Sequence, residues 1–165
     1  MEYIEIDDLK EAIFDYISCN EVFSPNIVIK NGIETIGYNF KCKDYPEIKE
    51  SITKNDADKI LNSLIDETIE KTKYMINEFN EYDEIKNYDN LPDNVKIVLV
   101  DLNYDIENLE NQFDNLHSFV YYIKNRNLIK AALLLEHSIW YENSGIRGKR
   151  AIINLFNESY GKIII

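Results

Sequence analysis

Asn26-Ile27-Val28-Ile29-Lys30-Asn31-Gly32-Ile33-Glu34-Thr35-Ile36-Gly37-Tyr38 decides how the rest of the chain is read. Asn31 and Gly32 stand between two runs rich in β-branched residues. A two-residue turn of type I′ needs positive φ at both central positions, and Asn-Gly tolerates that better than any other pair, so the stretch predicts a β-hairpin. Almost everything around it has helical periodicity. One small hairpin in a helical chain is expected to form a wall of a site rather than a core.

Upstream, Leu9, Ala12, Ile13, Tyr16 and Ile17 share one face and Asp8 with Glu11 resembles a capping box, which predicts a helix over 8–18. Downstream, Thr53 is placed to cap a turn ending at Asp56. Ile60, Leu61, Leu64, Ile65, Ile69, Ile76 and Phe79 then carry a helix of about 25 residues, a strut between two lobes. Residues 78–93 are rich in Asn, Asp, Glu and Tyr without a period and read as an acidic surface insertion. Pro92 suits the first turn of a third helix, with Leu91 as a staple. Val95, Ile97, Val98, Leu99, Val100 and Leu102 are apolar nearly all round, so this helix belongs at the centre of a core. Further helices are expected over 107–113, 115–124, 128–142 and 147–157, with the tail Ile163-Ile164-Ile165 docked on the core. A chain of 165 residues suits one domain, which here reads as two lobes: a small one over about 20–60, a connecting helix over about 53–79, and a helical one over about 91–165 joined by the first helix.

Thirty acidic against 18 basic residues give a net charge of −12, which repels phosphate backbones and anionic lipid, so neither nucleic acid nor a membrane surface is an expected partner. Met1-Glu2-Tyr3-Ile4-Glu5 has neither the basic nor the apolar part of a secretory signal, and Ile97-Val98-Leu99-Val100 is too short to span a bilayer; a soluble, cytoplasmic, monomeric product is expected. Cys19 and Cys42 lack metal-type spacing and read as free thiols.

Asp101, Asn103 and Asp105 imitate half of a calcium loop, but Ile106 stands where the loop needs Gly and Gln112 where it needs Glu, so no metal is expected. His117 and His137 have no partner at ligand spacing and read as ordinary helix residues. No nucleophile motif or phosphate loop suggests a cofactor. Glu21 remains, just beyond the first helix and beside Val22 and Phe23, with Thr35 on the second strand of the hairpin. A carboxyl beside an apolar wall can act as a general acid, whereas the bland reading is a solvated glutamate at a helix end.

The stretch Ile129-Lys130-Ala131-Ala132, then Ser138-Ile139-Trp140-Tyr141, then Arg147-Gly148-Lys149-Arg150 resembles the C-terminal region of the T-even phage lysozyme family of muramidases. Thr35-Ile36-Gly37-Tyr38 resembles the second cleft strand of those enzymes, and Val98-Leu99-Val100-Asp101-Leu102 their central helix. The resemblance implies a lysozyme-like α+β fold, mainly helical, with no cofactor and with peptidoglycan glycan strands as substrate. It implies Glu21 as the acid if the connection is one residue shorter here, and Asn20 at that position without the shift. Thr35 matches the family's threonine and Arg147 the arginine that orients the acid, while Tyr38, Asn39 and Asp105 fall at cleft-lining positions.

The departures fall in the cleft. The family's aspartate lands on Ile29 or Lys30, leaving Glu34 or Asp44 as a substitute second carboxylate. Gly37-Tyr38-Asn39-Phe40 and Asp105-Ile106-Glu107 each lack a glycine of the family's pattern. Two functions are compatible with a retained core and an altered cleft. One is a divergent, endolysin-type hydrolase of glycan strands (a muramidase), with Glu21 as acid, Thr35 placing water or sugar and Arg147 orienting Glu21, for which a single acid could also suffice by lytic transglycosylation. The other is an inactive lysozyme fold that binds a protein through its acidic, Tyr-rich surface, such as a phage protein acting on its host.

Overall fold

A computed structural model describes residues 5–79, 87–107, 109 and 113–160. It is mainly helical α+β, with seven α-helices among the described residues and one three-stranded antiparallel sheet in the order β1-β2-β3. The chain forms two compact units, Met1–Glu67 and Thr68–Ile165, and the boundary between them falls inside the second helix. None of the described helices is long and apolar enough to cross a membrane.

In the first unit, α1 (Glu5–Asn20) runs a turn beyond the expected start and fully buries Ile13 and Ile17, one helical turn apart. The hairpin follows as β1 (Ser24–Lys30) and β2 (Ile33–Gly37). Asn31 at φ 51° and Gly32 at φ 78° make the turn, and Lys30 pairs with Ile33 across it. A third strand, β3 (Phe40–Lys41), was not legible in the sequence: it is two residues long, and it pairs Phe40 with Ile36 and Lys41 with Thr35. Gly37 at φ 65° and Asn39 at φ 67° turn the chain into it, both residue types that accept the left-handed region.

α2 (Lys54–Glu78) starts one residue after the Thr53 that the sequence predicts, and its length is 25 residues. The Thr53 hydroxyl accepts a hydrogen bond from the Asp56 backbone N–H at 3.1 Å and donates one to the Asp56 carboxylate at 2.8 Å. That bond and the nearby Lys59 hold the Asp56 carboxyl below its usual range. Ala57, Leu61, Ile65 and, farther along, Thr72 and Ile76 are fully buried on one face. The Thr72 hydroxyl meets its need by donating to the Thr68 carbonyl at 2.7 Å.

In the second unit, α3 (Asp93–Asp105) starts one residue later than expected, because Pro92 keeps an extended ψ of 149° and serves as the cap. Val95, Val98, Leu99, Val100 and Leu102 are buried on it, as an apolar helix at the centre of a core requires. Next come α4 (Leu116–Lys124), α5 (Leu128–Glu136), α6 (Ile139–Ser144) and α7 (Ile146–Tyr160). A single helix over 128–142 is therefore corrected to two. Ser138 breaks it: with ψ at 153° its hydroxyl accepts from the Tyr141 N–H at 3.1 Å and donates to the Leu135 carbonyl at 2.6 Å, so it ends one helix and caps the next. Gly145 at φ 58° turns α6 into α7, and Gly148 lets α7 approach α6, since a Cβ there would strike the Ser144 hydroxyl and come within 2.8 Å of the Tyr141 ring. The ammonium of the buried Lys124 donates to the carbonyls of Ile76 and Phe79 at 3.1 and 3.2 Å, which satisfies the end of α2. Burial lowers the affinity of that amine for its proton. Of the acidic surface insertion expected over 78–93, residues 80–86 lie outside the described residues, as do most of the helix expected over 107–113 and the tail at 163–165. Its described part corrects the surface reading, because a short 3-10 turn, Tyr88–Asn90, buries Tyr88.

The two glycines of the hairpin differ in a way that unfolding measurements can read. An added Cβ at Gly32 meets open space, so Gly32→Ala carries only the left-handed backbone term of roughly 1–2 kcal/mol. At Gly37 the same term applies and the Cβ would also lie 2.7 Å from the Phe40 ring. Gly37→Ala is expected to lose about 1–3 kcal/mol more than Gly32→Ala in urea unfolding. Equal losses would show that the Phe40 ring yields freely.

Candidate functional site

The residues singled out by sequence fall in two places, one in each unit. In the first unit Glu21 directly follows α1, and its backbone N–H still donates to the Ile17 carbonyl at 2.9 Å. The residue is only 5% exposed, so it is not the solvated helix-end glutamate of the bland reading. The expected apolar wall divides. Val22 points outward, 79% exposed, while the Phe23 ring packs at 5.5 Å on Tyr38.

Thr35 is buried on β2, and its hydroxyl donates to the Val28 carbonyl at 3.4 Å across the hairpin. Strand register sorts its neighbours. Directly paired residues lie on one face of a sheet and successive residues alternate, so Val28 with Thr35 and Lys30 with Ile33 share a face, while Ile29 with Glu34 lies on the other. Of the two positions that could correspond to the family's aspartate, Lys30 is thus on the Thr35 face and Ile29 is not. Glu34 is exposed on the opposite face, and with burial its charge pushes the Cys42 thiol up. Asp44 is exposed in a short 3-10 turn, Cys42–Asp44. Glu34 therefore does not join Thr35 on its face of the hairpin.

A pocket of about 220 Å³ opens on that face, lined by Val22, Val28, Lys30, Thr35 and Asn39 among others. Among the described residues no carboxylate lines it. Tyr38, expected in the cleft, is instead a core residue: it is buried, ringed by Phe14, Phe23 and Phe40 at centroid distances of 6.3, 5.5 and 6.2 Å. Its hydroxyl donates to Asp58 at 2.6 Å and accepts from Lys54 at 2.9 Å, which fastens the end of the hairpin to the start of α2. Burial, then the hydrogen bond to Asp58, raises the pKa of the phenol.

In the second unit Arg147 opens α7 and forks onto Asp101 of α3. Its Nε lies 3.2 and 3.0 Å from the two carboxylate oxygens and its Nη2 lies 2.6 Å from Oδ1, while Nη1 reaches Asp105 at 2.7 Å. The Asp101 side chain is 1% exposed and that of Arg147 10%. The Trp140 indole N–H donates to the other Asp105 oxygen at 2.6 Å, and its ring is buried. Asp105 is therefore occupied as a bridge between α6 and α7. In the sequence Asp101 stands in the calcium-loop imitation and in the stretch that resembles a central helix, with no partner assigned; Asp101, Asn103 and Asp105 are helical, and Asn103 donates to the Leu99 carbonyl at 3.1 Å. A helix spacing of four between two aspartates was the available signal, but nothing local pointed to an arginine 46 residues away.

Among the described residues no group of three His, Cys, Asp or Glu is placed to hold a metal ion. His117, on α4, stacks edgewise on Phe79 at 4.6 Å; His137, expected inside a helix, is instead the cap that ends α5 and contacts the Leu133 carbonyl through Nδ1 at 2.7 Å. Cys19 and Cys42 are free. No family model and no curated protein matches the chain.

Removing one member of a buried ion pair leaves the other charge desolvated, at a cost of about 3–5 kcal/mol. Asp101→Ala is expected to lose that much in urea unfolding. Asp105→Ala, whose carboxylate is 29% exposed, should lose clearly less. A loss below about 1 kcal/mol for Asp101→Ala would mean that the fork onto Arg147 contributes little to stability.

Proposed function

We propose that this chain is a lysozyme-type enzyme that cleaves peptidoglycan glycan strands with a single carboxylic acid, Glu21, and without a second carboxylate. The observations that support the reading are a nearly buried glutamate just after α1 and, on the hairpin that follows, a Thr35 face that presents Lys30. A carboxyl held out of bulk solvent beside a glycan can act on the glycosidic oxygen as a general acid. A two-carboxylate mechanism would need an acidic group on the hairpin to hold a developing positive charge or activate water. With Lys30 in that position, cleavage proceeds through the substrate's own hydroxyl.

In this scheme Glu21 gives its proton to the glycosidic oxygen as the C1–O bond breaks. The C6 hydroxyl of the same sugar closes on C1 and its proton passes to the Glu21 carboxylate, which restores the acid. No water is consumed, and the new end is an internal anhydro ring. Thr35 orients the sugar at the hairpin wall. The protein acts as a monomer on the glycan, without cofactor, nucleic acid or membrane.

A second reading, a protein-binding module on a lysozyme-like fold, has its own support. Ile146, Ile153 and Tyr160 recur every seven residues along α7 and are 69%, 54% and 65% exposed.

Purified peptidoglycan separates the readings. Chromatography with mass analysis is expected to find products lighter by one water than hydrolytic ones, and Glu21→Gln should reduce their formation by about 10²–10⁴-fold. Reducing ends in place of anhydro ends would refute the single-acid scheme. No product at high protein concentration would remove the enzyme reading and leave the binding module.

A further inference from the structure

The pocket on the Thr35 face has an unusual balance of hydrogen-bonding capacity for a chain with 30 acidic and 18 basic residues. The Ser24 hydroxyl at its edge is already committed to the Asn26 carbonyl at 2.8 Å, and Thr35 donates to the Val28 carbonyl. Among the described residues Lys30 makes no hydrogen bond or ion pair, and the exposed Asn39 amide is likewise uncommitted. What remains to be satisfied is mostly donors: three N–H bonds of an ammonium and two of an amide. Val22 and Val28 supply apolar walls beside them.

A donor-rich, cation-bearing pocket accepts an anion. One ammonium and one amide match a single negative charge; a phosphate dianion is often met by arginine forks, and no arginine is among the lining residues. At about 220 Å³ it lies below the roughly 300–1,000 Å³ of sites for drug-sized ligands, so it takes one small group rather than a run of sugars.

We infer that this pocket binds a free carboxylate carried on a short apolar arm of a sugar, with Lys30 as the ion-pair partner, Asn39 as a second donor and Val22 and Val28 against the arm. Resting on the glycan-cleaving reading above, this names the substrate: strands whose acidic sugar has a free lactyl carboxylate. A peptide stem joined to that arm by an amide bond removes the charge that Lys30 pairs with. The preferred strand is then one already stripped of peptide, and the class of reaction that supplies it is amide hydrolysis between sugar arm and peptide.

N-acetylmuramic acid and N-acetylglucosamine differ only by the carboxylate-bearing arm, so the two sugars test the pocket directly. Backbone amide shifts of Val28, Lys30, Thr35 and Asn39 are followed by NMR in the parent, in Glu21→Gln and in Lys30→Met. The acidic sugar is expected to bind about tenfold or more tightly than the neutral one, in the parent and in Glu21→Gln alike, because a charge-assisted hydrogen bond is at stake. In Lys30→Met that difference should vanish, and Lys30→Arg should keep most of it. Lys30 is exposed, so the amide spectrum of each variant reports an intact fold in the same sample. Equal binding of the two sugars, no shift of these amides with either, or an unchanged preference in Lys30→Met overturns the proposal. Because binding is read without turnover, selective binding with no cleavage would retain the pocket and remove only the enzyme mechanism.

Discussion

The buried ion pair between Asp101 and Arg147 is the constraint on which the second unit depends. A carboxylate with 1% of its side chain exposed has lost its hydration and must recover that energy from a partner in good geometry. Arginine supplies it because its donors form a rigid planar fork, and Nε and Nη2 both engage the Asp101 carboxylate. The remaining arm draws in Asp105, which in turn accepts from the Trp140 indole. One arginine at the start of α7 thereby fixes α3, α6 and α7 to each other. The left-handed Gly145 and the bare Cα face of Gly148 are what allow α6 and α7 to meet closely enough for that network.

The first unit depends on a different kind of constraint, the alternation of side chains along a paired strand. The Asn31-Gly32 turn sets the register, and the register assigns every hairpin side chain to a face. Lys30 falls on the Thr35 face for that reason, while Glu34 lies opposite because it adjoins Thr35 in the same strand. A slip of one residue would move Lys30 off the Thr35 face and put Ile29 there. The chemistry open to the hairpin is therefore written in its turn rather than in any one side chain.

Features with local physical causes were legible in the sequence. Asn31-Gly32 gave the hairpin because only such pairs tolerate its backbone, and Thr53 gave the start of α2 because its hydroxyl can reach the Asp56 N–H. Four-residue spacing gave the buried face of α2, and the all-round apolar stretch gave the buried α3. What was missed has non-local causes or none strong enough to register. The apolar period of 128–142 continues across Ser138, so a break made by one hydroxyl was hidden under it. Tyr38 looks like a cleft residue by position and becomes a core residue only when Phe14, Phe23 and Phe40 surround it. Strand β3 has two residues, too few to carry a pattern. In the candidate site, Glu21 and Thr35 could be named from sequence, but which residues of β1 share the Thr35 face could not, because that follows from register.

Charge at the hairpin connects the proposed chemistry with the proposed substrate. A carboxylate there would favour the positive charge that builds on a sugar ring as its glycosidic bond breaks; an ammonium disfavours it, by the same Coulombic reasoning with the sign reversed. An enzyme with Lys30 on that wall gains nothing from a long-lived cation and is better served by an attacking hydroxyl that forms its bond as the old one leaves. An anionic arm on the sugar also neutralises the lysine, so the substrate removes the repulsion that the protein alone would impose. A neutral sugar in the same place would leave the ammonium opposed to the reaction. Under the single-acid scheme, selection for an acidic sugar and cleavage without water are then two consequences of one residue, the cation at position 30.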